Sequence, residues 1–364
     1  MLPLAAYRDE AVLDREIDAL FGHGWVCVGR SADVANTGDY LTTDLPTRGA
    51  SARSVLVVRG DDGVVRCFDN VCVHRGARLV DDCGTQARLT CPYHAWTYRL
   101  DGSLIGAPHA TAGSQAGERG LDVRAHRLGE LRVEEWEGFV FVNQDDAAAP
   151  LAPRLAELHG VVGRYAMASY VPVRREVEIW DTNWKLLAEN FMDAYHVFHV
   201  HRSSFGADGD SVDDTQVFPG TLDWTHHRVV EHAGPDLAAG RSDLEGDWRK
   251  TIVLAAVFPG LFMQLQPDWM WSLQLTPIGT AQVRVESRVA VPQAVLDAKP
   301  PVERDQWLTA LFALIDQVNA EDRSIVESIR ASVDRPQFER APLVPLERNV
   351  YDFDRHVATR LTGG

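Results

Sequence analysis

Cys72 and His74 are separated by one residue, Cys91 and His94 by two, and a loop of 16 residues, Arg75 to Thr90, lies between the pairs. Each pair offers one thiolate and one imidazole. A zinc finger usually sets two Cys in the first pair and two His in the second. Interleaving one of each instead lets the two Cys hold one iron and the two His the other iron of a [2Fe–2S] cluster. Neutral imidazoles in place of charged thiolates raise the reduction potential above that of an all-cysteine cluster, so the group can accept an electron and pass it on. A structural zinc site is the plain alternative. Cys27, Cys67 and Cys83 have no such partners and read as packing or surface thiols.

A second constellation lies past residue 180. The spacing predicts a helix over 183–199, with Asp181 and Thr182 available as caps. At about 100° per residue, Trp184, Leu187, Phe191, Tyr195 and Phe198 form an apolar stripe, and Glu189, Asn190, Asp193 and His196 gather opposite it. Asp193 and His196, three apart, are neighbours on such a helix. Non-haem Fe(II) sites use two His and one carboxylate on one face of the metal, leaving positions for O₂ and substrate. His196 supplies the first imidazole. For the second, spacing offers His199, which projects close to the apolar stripe, or His201, which requires the helix to turn or end after Phe198. The carboxylate comes from a long helix predicted near 302–332, where Leu308, Leu311, Ile315, Val318, Ile325, Val326 and Ile329 make one apolar face. Asp322 projects to the centre of that face and Glu321 to its edge. A carboxylate buried there costs several kcal/mol unless a cation or a donor meets it. Iron would do so, and so would a buried arginine.

The elements that must position these groups divide the chain. Residues 8–22 read as a short amphipathic helix before Gly22 and Gly24. From there to about Asn143, β-branched runs (Val55–Val58, Val64–Phe68, Phe139–Val142) alternate with turns such as Asp61-Asp62-Gly63 and Asp101-Gly102, the texture of a small antiparallel β domain. Asp145–Pro153, rich in Ala, Asp and Pro, reads as a linker. Beyond it come a strand at 171–180, the helix just described, strands between about 251 and 291, and the long helix. The whole is α+β, with an N-terminal domain over 1–150 (core about 25–143) and a second over 151–364.

Composition agrees with two cores: 364 residues, 45% apolar and 24% charged. A formal charge of −16, from 36 basic and 52 acidic residues, makes nucleic acid and anionic membrane poor partners. The start, MLPLAAYRDE, lacks a basic region followed by an apolar core, and Ile252–Leu265 is broken by Pro259 and Gly260, so a cytoplasmic protein is expected. Five cysteines without a secretory signal favour metal over disulfides. Neither GxGxxG nor a phosphate loop is present, so the sequence carries no recognisable fingerprint for a nicotinamide or flavin.

Cys72-Val73-His74-Arg75-Gly76 and Cys91-Pro92-Tyr93-His94-Ala95-Trp96-Thr97-Tyr98 resemble the two ligand loops of the Rieske domain in ring-hydroxylating oxygenases, with Ala95 where that family commonly has Gly. Glu189-Asn190-Phe191-Met192-Asp193-Ala194-Tyr195-His196, with His201 five positions on, resembles the family's mononuclear-iron motif. Glu321-Asp322-Arg323-Ser324-Ile325-Val326-Glu327 resembles its third-ligand segment, and the likeness runs from Trp25–Arg30 through Glu347–Tyr351. It implies an antiparallel β Rieske domain followed by an α+β catalytic domain with an antiparallel sheet flanked by helices. It also implies a [2Fe–2S] cluster on Cys72, His74, Cys91 and His94, and Fe(II) on His196, His201 and Asp322. Asp193 would bridge a mononuclear-site His and a Rieske His of the neighbouring subunit, in a head-to-tail ring expected to be a trimer. NAD(P)H would feed electrons through a separate reductase, with or without a ferredoxin, and O₂ would be the co-substrate.

Phe205, Phe258, Phe262, Met263, Trp269, Met270 and Trp271 form an aromatic and Met-rich region that suits an arene pocket, an aromatic cage for a quaternary ammonium, or simply core. Hydroxylation, demethylation and cis-dihydroxylation are all compatible with such an iron site. The rival from another class is a Rieske-type electron carrier or metal-binding protein without oxygenase activity.

Overall fold

Asp61-Asp62-Gly63 shows how the N-terminal strands are joined. Gly63 takes a left-handed φ of +77°, and Asp62 Oδ1 accepts the Val64 N–H at 3.1 Å, so Ser51–Arg59 turns back on Val65–Asp69 as an antiparallel hairpin. The computed structural model describes residues 2–49, 51–108, 110, 121–204, 212–231, 236–238, 241, 243–333, 335 and 341–363. Phe205 lies outside the described residues.

Residues 21–150 form one compact unit. Its larger sheet has the order Val26–Arg30, Phe139–Asn143, Glu130–Trp136, Val65–Asp69, Ser51–Arg59, Asp39–Thr47, Cys83–Thr85. Val55 to Val58 are all fully buried, so both faces of that strand are covered. A smaller sheet of Leu89–Thr90, Thr97–Tyr98 and Leu104–Gly106 supports the segment carrying Cys91 and His94. Cys72 and Cys91 sit in one apolar cluster with Leu79, Leu89, Trp96 and Tyr98.

The other unit comprises residues 1–20 together with 151–364. Its antiparallel sheet runs Tyr170–Trp180, Val283–Pro292, Met270–Pro277, Leu261–Leu265, Thr251–Val257, Trp224–Val230, Thr215–Phe218. The helix Trp184–Met192, the long helix Pro301–Ser332 and the last helix Arg348–Thr362 complete it. On the long helix Leu311, Ile315, Val318, Asp322 and Val326 are buried, the stripe the sequence predicts, although Ile325 stays exposed. No helix among the described residues is long and apolar enough to cross a membrane.

The first twenty residues correct the sequence-based division, which attaches them to the N-terminal domain. The helix Glu10–Glu16, continued by a wider π-helical turn over Ile17–Gly22, sends Glu16 into the C-terminal unit. There its carboxylate meets Lys185 Nζ at 2.7 Å and the Trp184 indole N–H at 3.1 Å. Tyr7 donates to Glu189 at 2.6 Å. Glu16 and Lys185 are both fully buried, and each compensates the desolvation of the other.

Candidate metal centres and cavity

Asp193 decides the shape of the second site. The helix predicted over 183–199 ends at Met192. Asp193 adopts an extended backbone (φ −81°, ψ 106°), and its Oδ1 takes the Tyr195 N–H at 2.7 Å in a tight turn. A short helix, Val197–Val200, follows. The break swings His196 and His201 together, whereas Tyr195 and His199 face outward.

Three ligand atoms then converge. His196 Nε2 lies 3.2 Å from His201 Nε2, and Asp322 Oδ1 lies 3.3 Å from the first and 3.2 Å from the second. Asn190 Nδ2 donates to the same Asp322 oxygen at 3.3 Å. His196 Nδ1 is 2.7 Å from the Asp193 carbonyl, which only accepts, so Nδ1 must carry the proton. The Asp193 carboxylate is farther from it, at 3.5 Å. On the other ring, His201 Nδ1 lies 2.8 Å from Glu321 Oε2. Burial alone would raise the Glu321 pKa, but hydrogen bonds from His201, Ser203, Ser204 and Gln317 hold it at about 2, so it is an ionised acceptor. Both Nε2 atoms therefore turn lone pairs toward Asp322.

Three lone-pair donors facing one point repel one another unless a cation lies among them. With two imidazoles and one carboxylate, the set suits a divalent transition metal, and the triad is the one group among the described residues whose His and carboxylate ligand atoms converge in this way. Without a metal a proton takes that place. Burial would lower the His196 pKa, but hydrogen bonds to Asp193 and Asp322 outweigh it and raise it to about 10. Burial would raise Asp322, and the two imidazoles pull it down to about 2.

Glu321 is the residue the sequence reading set aside, because it projects to the edge of the helix face. That edge is where His201 sits; Ser204 Oγ donates to the same Oε2 and Ser203 Oγ to Oε1, each at 2.7 Å.

In the N-terminal unit the two Cys/His loops repeat one backbone design. Cys72 N donates to Ala77 O and Cys91 N to Trp96 O, both at 2.8 Å, and Gly76 N and Ala95 N return to Cys72 O and Cys91 O at 3.0 Å. Gly76 has φ +75° and Ala95 φ +56°. Ala95 thus holds a left-handed conformation that costs an L-residue roughly 1 kcal/mol. Cys72 and Cys91 are buried while His74 and His94 are exposed, with imidazole centroids 4.8 Å apart and His74 stacked on Trp96. Buried thiolates with outward imidazoles fit a cluster whose histidine-bound iron faces the surface. Tyr98 OH accepts from Val73 N at 3.3 Å, which leaves its own proton for Cys72 Sγ at 3.2 Å.

A cavity opens beside the triad. Phe191, Phe198, His227, Leu254, Gln264 and Trp271 are among its walls, with His196, His201 and Asp322 at one side. Of the aromatic and Met-rich residues singled out from the sequence and described here, only Trp271 lines it. Phe258 and Phe262 pack instead against Phe353 in the core.

Comparison with known proteins follows the same division. Residues 24–127 match the Rieske [2Fe-2S] domain, and residues 163–363 match the catalytic domain of the ring-hydroxylating alpha subunit. The chain is 34% identical over 207 residues to the carnitine monooxygenase oxygenase subunit of Acinetobacter baumannii, a match covering 55% of this chain and 52% of that one. It is 34% identical over 225 residues to the glycine betaine monooxygenase oxygenase subunit of Chromohalobacter salexigens (61% and 48%). It is 26% identical over 358 residues to the chloroplastic choline monooxygenase of Beta vulgaris (96% and 75%). The chain spans about half the length of the first two relatives. In fold it is similar to a quaternary ammonium Rieske monooxygenase solved with L-carnitine (TM-score 0.78, 23% identity, 98% and 94% covered). It is also similar to naphthalene 1,2-dioxygenase with indole bound (TM-score 0.75, 21%, 98% and 92%).

Proposed function

The chain belongs to the ring-hydroxylating alpha-subunit family, with its Rieske domain, and from that premise we propose that it is the terminal oxygenase of a multicomponent system. Cys72, His74, Cys91 and His94 hold a [2Fe–2S] cluster in this reading, and His196, His201 and Asp322 hold Fe(II). When bound, the first group supplies single electrons at a raised potential and the second activates O₂. The observation that carries the reading is the convergence of three unshielded ligand atoms, 3.2 to 3.3 Å apart, beside a walled cavity.

The chain's own residues have defined tasks. The Asp193 carbonyl and the Glu321 carboxylate keep the Nδ1 protons of His196 and His201, which orients both rings and makes their Nε2 atoms better donors. The Asp193 carboxylate, held by Tyr195 N, is offered as the bridge to a histidine of the neighbouring subunit's Rieske domain in a trimeric ring. Phe191, Phe198 and Trp271 exclude water from the side of the cavity where substrate meets the triad. A separate reductase, with or without a ferredoxin, delivers electrons from NAD(P)H in the cytoplasm. The names of the relatives support a quaternary-ammonium substrate, hydroxylated or demethylated by O₂.

Iron content tests this reading. About three irons per chain are expected, falling to about two in Asp322→Ala with the cluster spectrum intact. Substrate-dependent O₂ uptake with a generic reductase is expected in the first and lost in the second. Two irons in both proteins would make the chain an electron carrier instead.

A further inference from the structure

Trp184 to Glu189 are all buried, more than one full turn of the helix Trp184–Met192. A helix buried on every side is ordinarily apolar throughout. This one carries Lys185 and Glu189, four apart and therefore on one face. Burying such groups is costly unless each meets a partner. Both find their hydrogen bonds on the first twenty residues.

This N-terminal arm grips the helix at intervals along its length. Asn183 caps the helix, its Oδ1 taking the Lys185 N–H at 3.0 Å, and its Nδ2 donates to Tyr7 O at 3.1 Å. Glu16 accepts from the Trp184 indole at 3.1 Å and from Lys185 Nζ at 2.7 Å. Tyr7 donates to Glu189 at 2.6 Å. Leu4, Ala6 and Tyr7 pack with Leu186 in one apolar cluster. Apolar pairs would hold the two segments together without desolvating any charge. What buried polar pairs add is register, since a slip of the helix along the arm unpairs Lys185 and Glu189 together.

The far end of the helix is where that register matters. Asn190 follows Glu189 directly, at a rise of about 1.5 Å. Its backbone carbonyl takes the Asp193 N–H at 3.2 Å, closing the helix at the turn that presents His196. Its carboxamide donates to Asp322 Oδ1 at 3.3 Å, the oxygen that faces both Nε2 atoms of the triad. One residue thus ties the turn before His196 to the long helix that carries Asp322. Among the described residues lining the cavity Asn190 is not one, so it acts through Asp322 and the turn rather than on a substrate.

We infer that Asn190 is a positioning residue for the metal triad and that the N-terminal arm, through Tyr7 and Glu16, sets its place. The inference rests on the oxygenase reading of the triad, and the test separates the two. The cluster-loaded full chain is titrated with Fe(II) under anaerobic conditions. Asn190→Leu keeps the bulk and loses the donor, and is expected to weaken Fe(II) binding about tenfold. Tyr7→Phe loses one buried hydroxyl and is expected to weaken it about threefold to fivefold. Because the arm acts through Asn190, Tyr7→Phe is expected to add little in the double variant. Tyr165→Phe is the matched control: its hydroxyl, equally buried, donates at 2.7 Å to Thr251 O on a strand rather than to this helix. It is expected to lower the thermal midpoint as Tyr7→Phe does, yet to leave Fe(II) affinity within about twofold.

Parental affinity in Asn190→Leu would overturn the positioning role, and that variant disturbs no buried charge, so it decides even where Tyr7→Phe does not fold. Tyr7→Phe titrating like Tyr165→Phe, or losses that simply add in the double variant, would overturn the part given to the arm. Asp322→Ala is expected to abolish binding at the triad. That loss, with parental affinity in Asn190→Leu and Tyr7→Phe, would sink this inference and leave the oxygenase reading standing. Asp322→Ala titrating like the parent would remove both.

Discussion

His201 is held at both ends of its ring by consecutive residues: Glu321 Oε2 lies 2.8 Å from Nδ1 and Asp322 Oδ1 lies 3.2 Å from Nε2. Neighbours on a helix point about 100° apart, so the two carboxylates reach opposite edges of one imidazole only because the broken helix brings His201 over the corner between them. Glu321→Gln retains the size and loses the charge. It is expected to weaken divalent-metal binding at the triad by roughly 10- to 100-fold, measured by equilibrium titration with Fe(II) under anaerobic conditions. Unchanged affinity would show that the 2.8 Å contact does not tune the ring.

Tyr98 bears on the other centre. Its hydroxyl proton is directed to Cys72 Sγ by the Val73 N–H behind it. A hydrogen bond to a cluster thiolate stabilises the reduced state, whose negative charge is greater. Tyr98→Phe should therefore lower the potential of the cluster by about 40 mV, the equivalent of roughly 1 kcal/mol for one electron. Redox titration of the visible or paramagnetic signal checks both sign and size.

Two positions in the ligand loops make an opposed pair. Ala95→Gly relieves a left-handed alanine, and Gly76→Ala creates one at φ +75° with no atom close enough to clash. The first is expected to stabilise the N-terminal unit by about 1 kcal/mol and the second to destabilise it by a similar amount. The shift in thermal midpoint of the loaded protein, upward in one and downward in the other, is the readout.

The acid limb of stability should carry the mark of buried histidines. Burial lowers the His356 pKa from 6.5 to about 4, against a backbone hydrogen bond to Leu222 O. The unfolded chain takes up that proton below pH 6.5 and the folded chain does not until about pH 4, so stability is lost as pH falls through this window. In His356→Asn that loss disappears. Between pH 7 and pH 5 the variant should lose about 2 kcal/mol less than the parent in denaturant titrations. Parallel pH profiles would count against the assignment.

Much of this was legible in the sequence because it depends on local spacing. The Cys/His loops, the β-branched strands and the apolar stripe of the long helix with Asp322 at its centre all follow from short periodic patterns. What escaped depends on long-range events. The helix was projected through Asp193, whereas that residue leaves the helix to bond Tyr195 N, and this alone decides for His201 over the exposed His199. Glu321 projects to the edge of the apolar face, and only a distant His201 gives that edge a purpose. The first twenty residues were joined to their sequence neighbours because nothing in their pattern marks the buried partners Lys185 and Glu189. The aromatic run suits a pocket or plain core equally by composition, because alternate side chains of a strand part company, and of its described residues only Trp271 turns to the cavity.

The cavity wall gives the molecule a division of labour. Four of its residues, His227, Leu254, Gln264 and Trp271, pair in turn across four neighbouring strands, while the triad comes from the two ends of the short helix Val197–Val200 and from the interior of the long helix. A single exchange at His227, Leu254, Gln264 or Trp271 changes the wall without disturbing a ligand. What the wall accepts and how the three ligand atoms converge are thus set by separate parts of the chain.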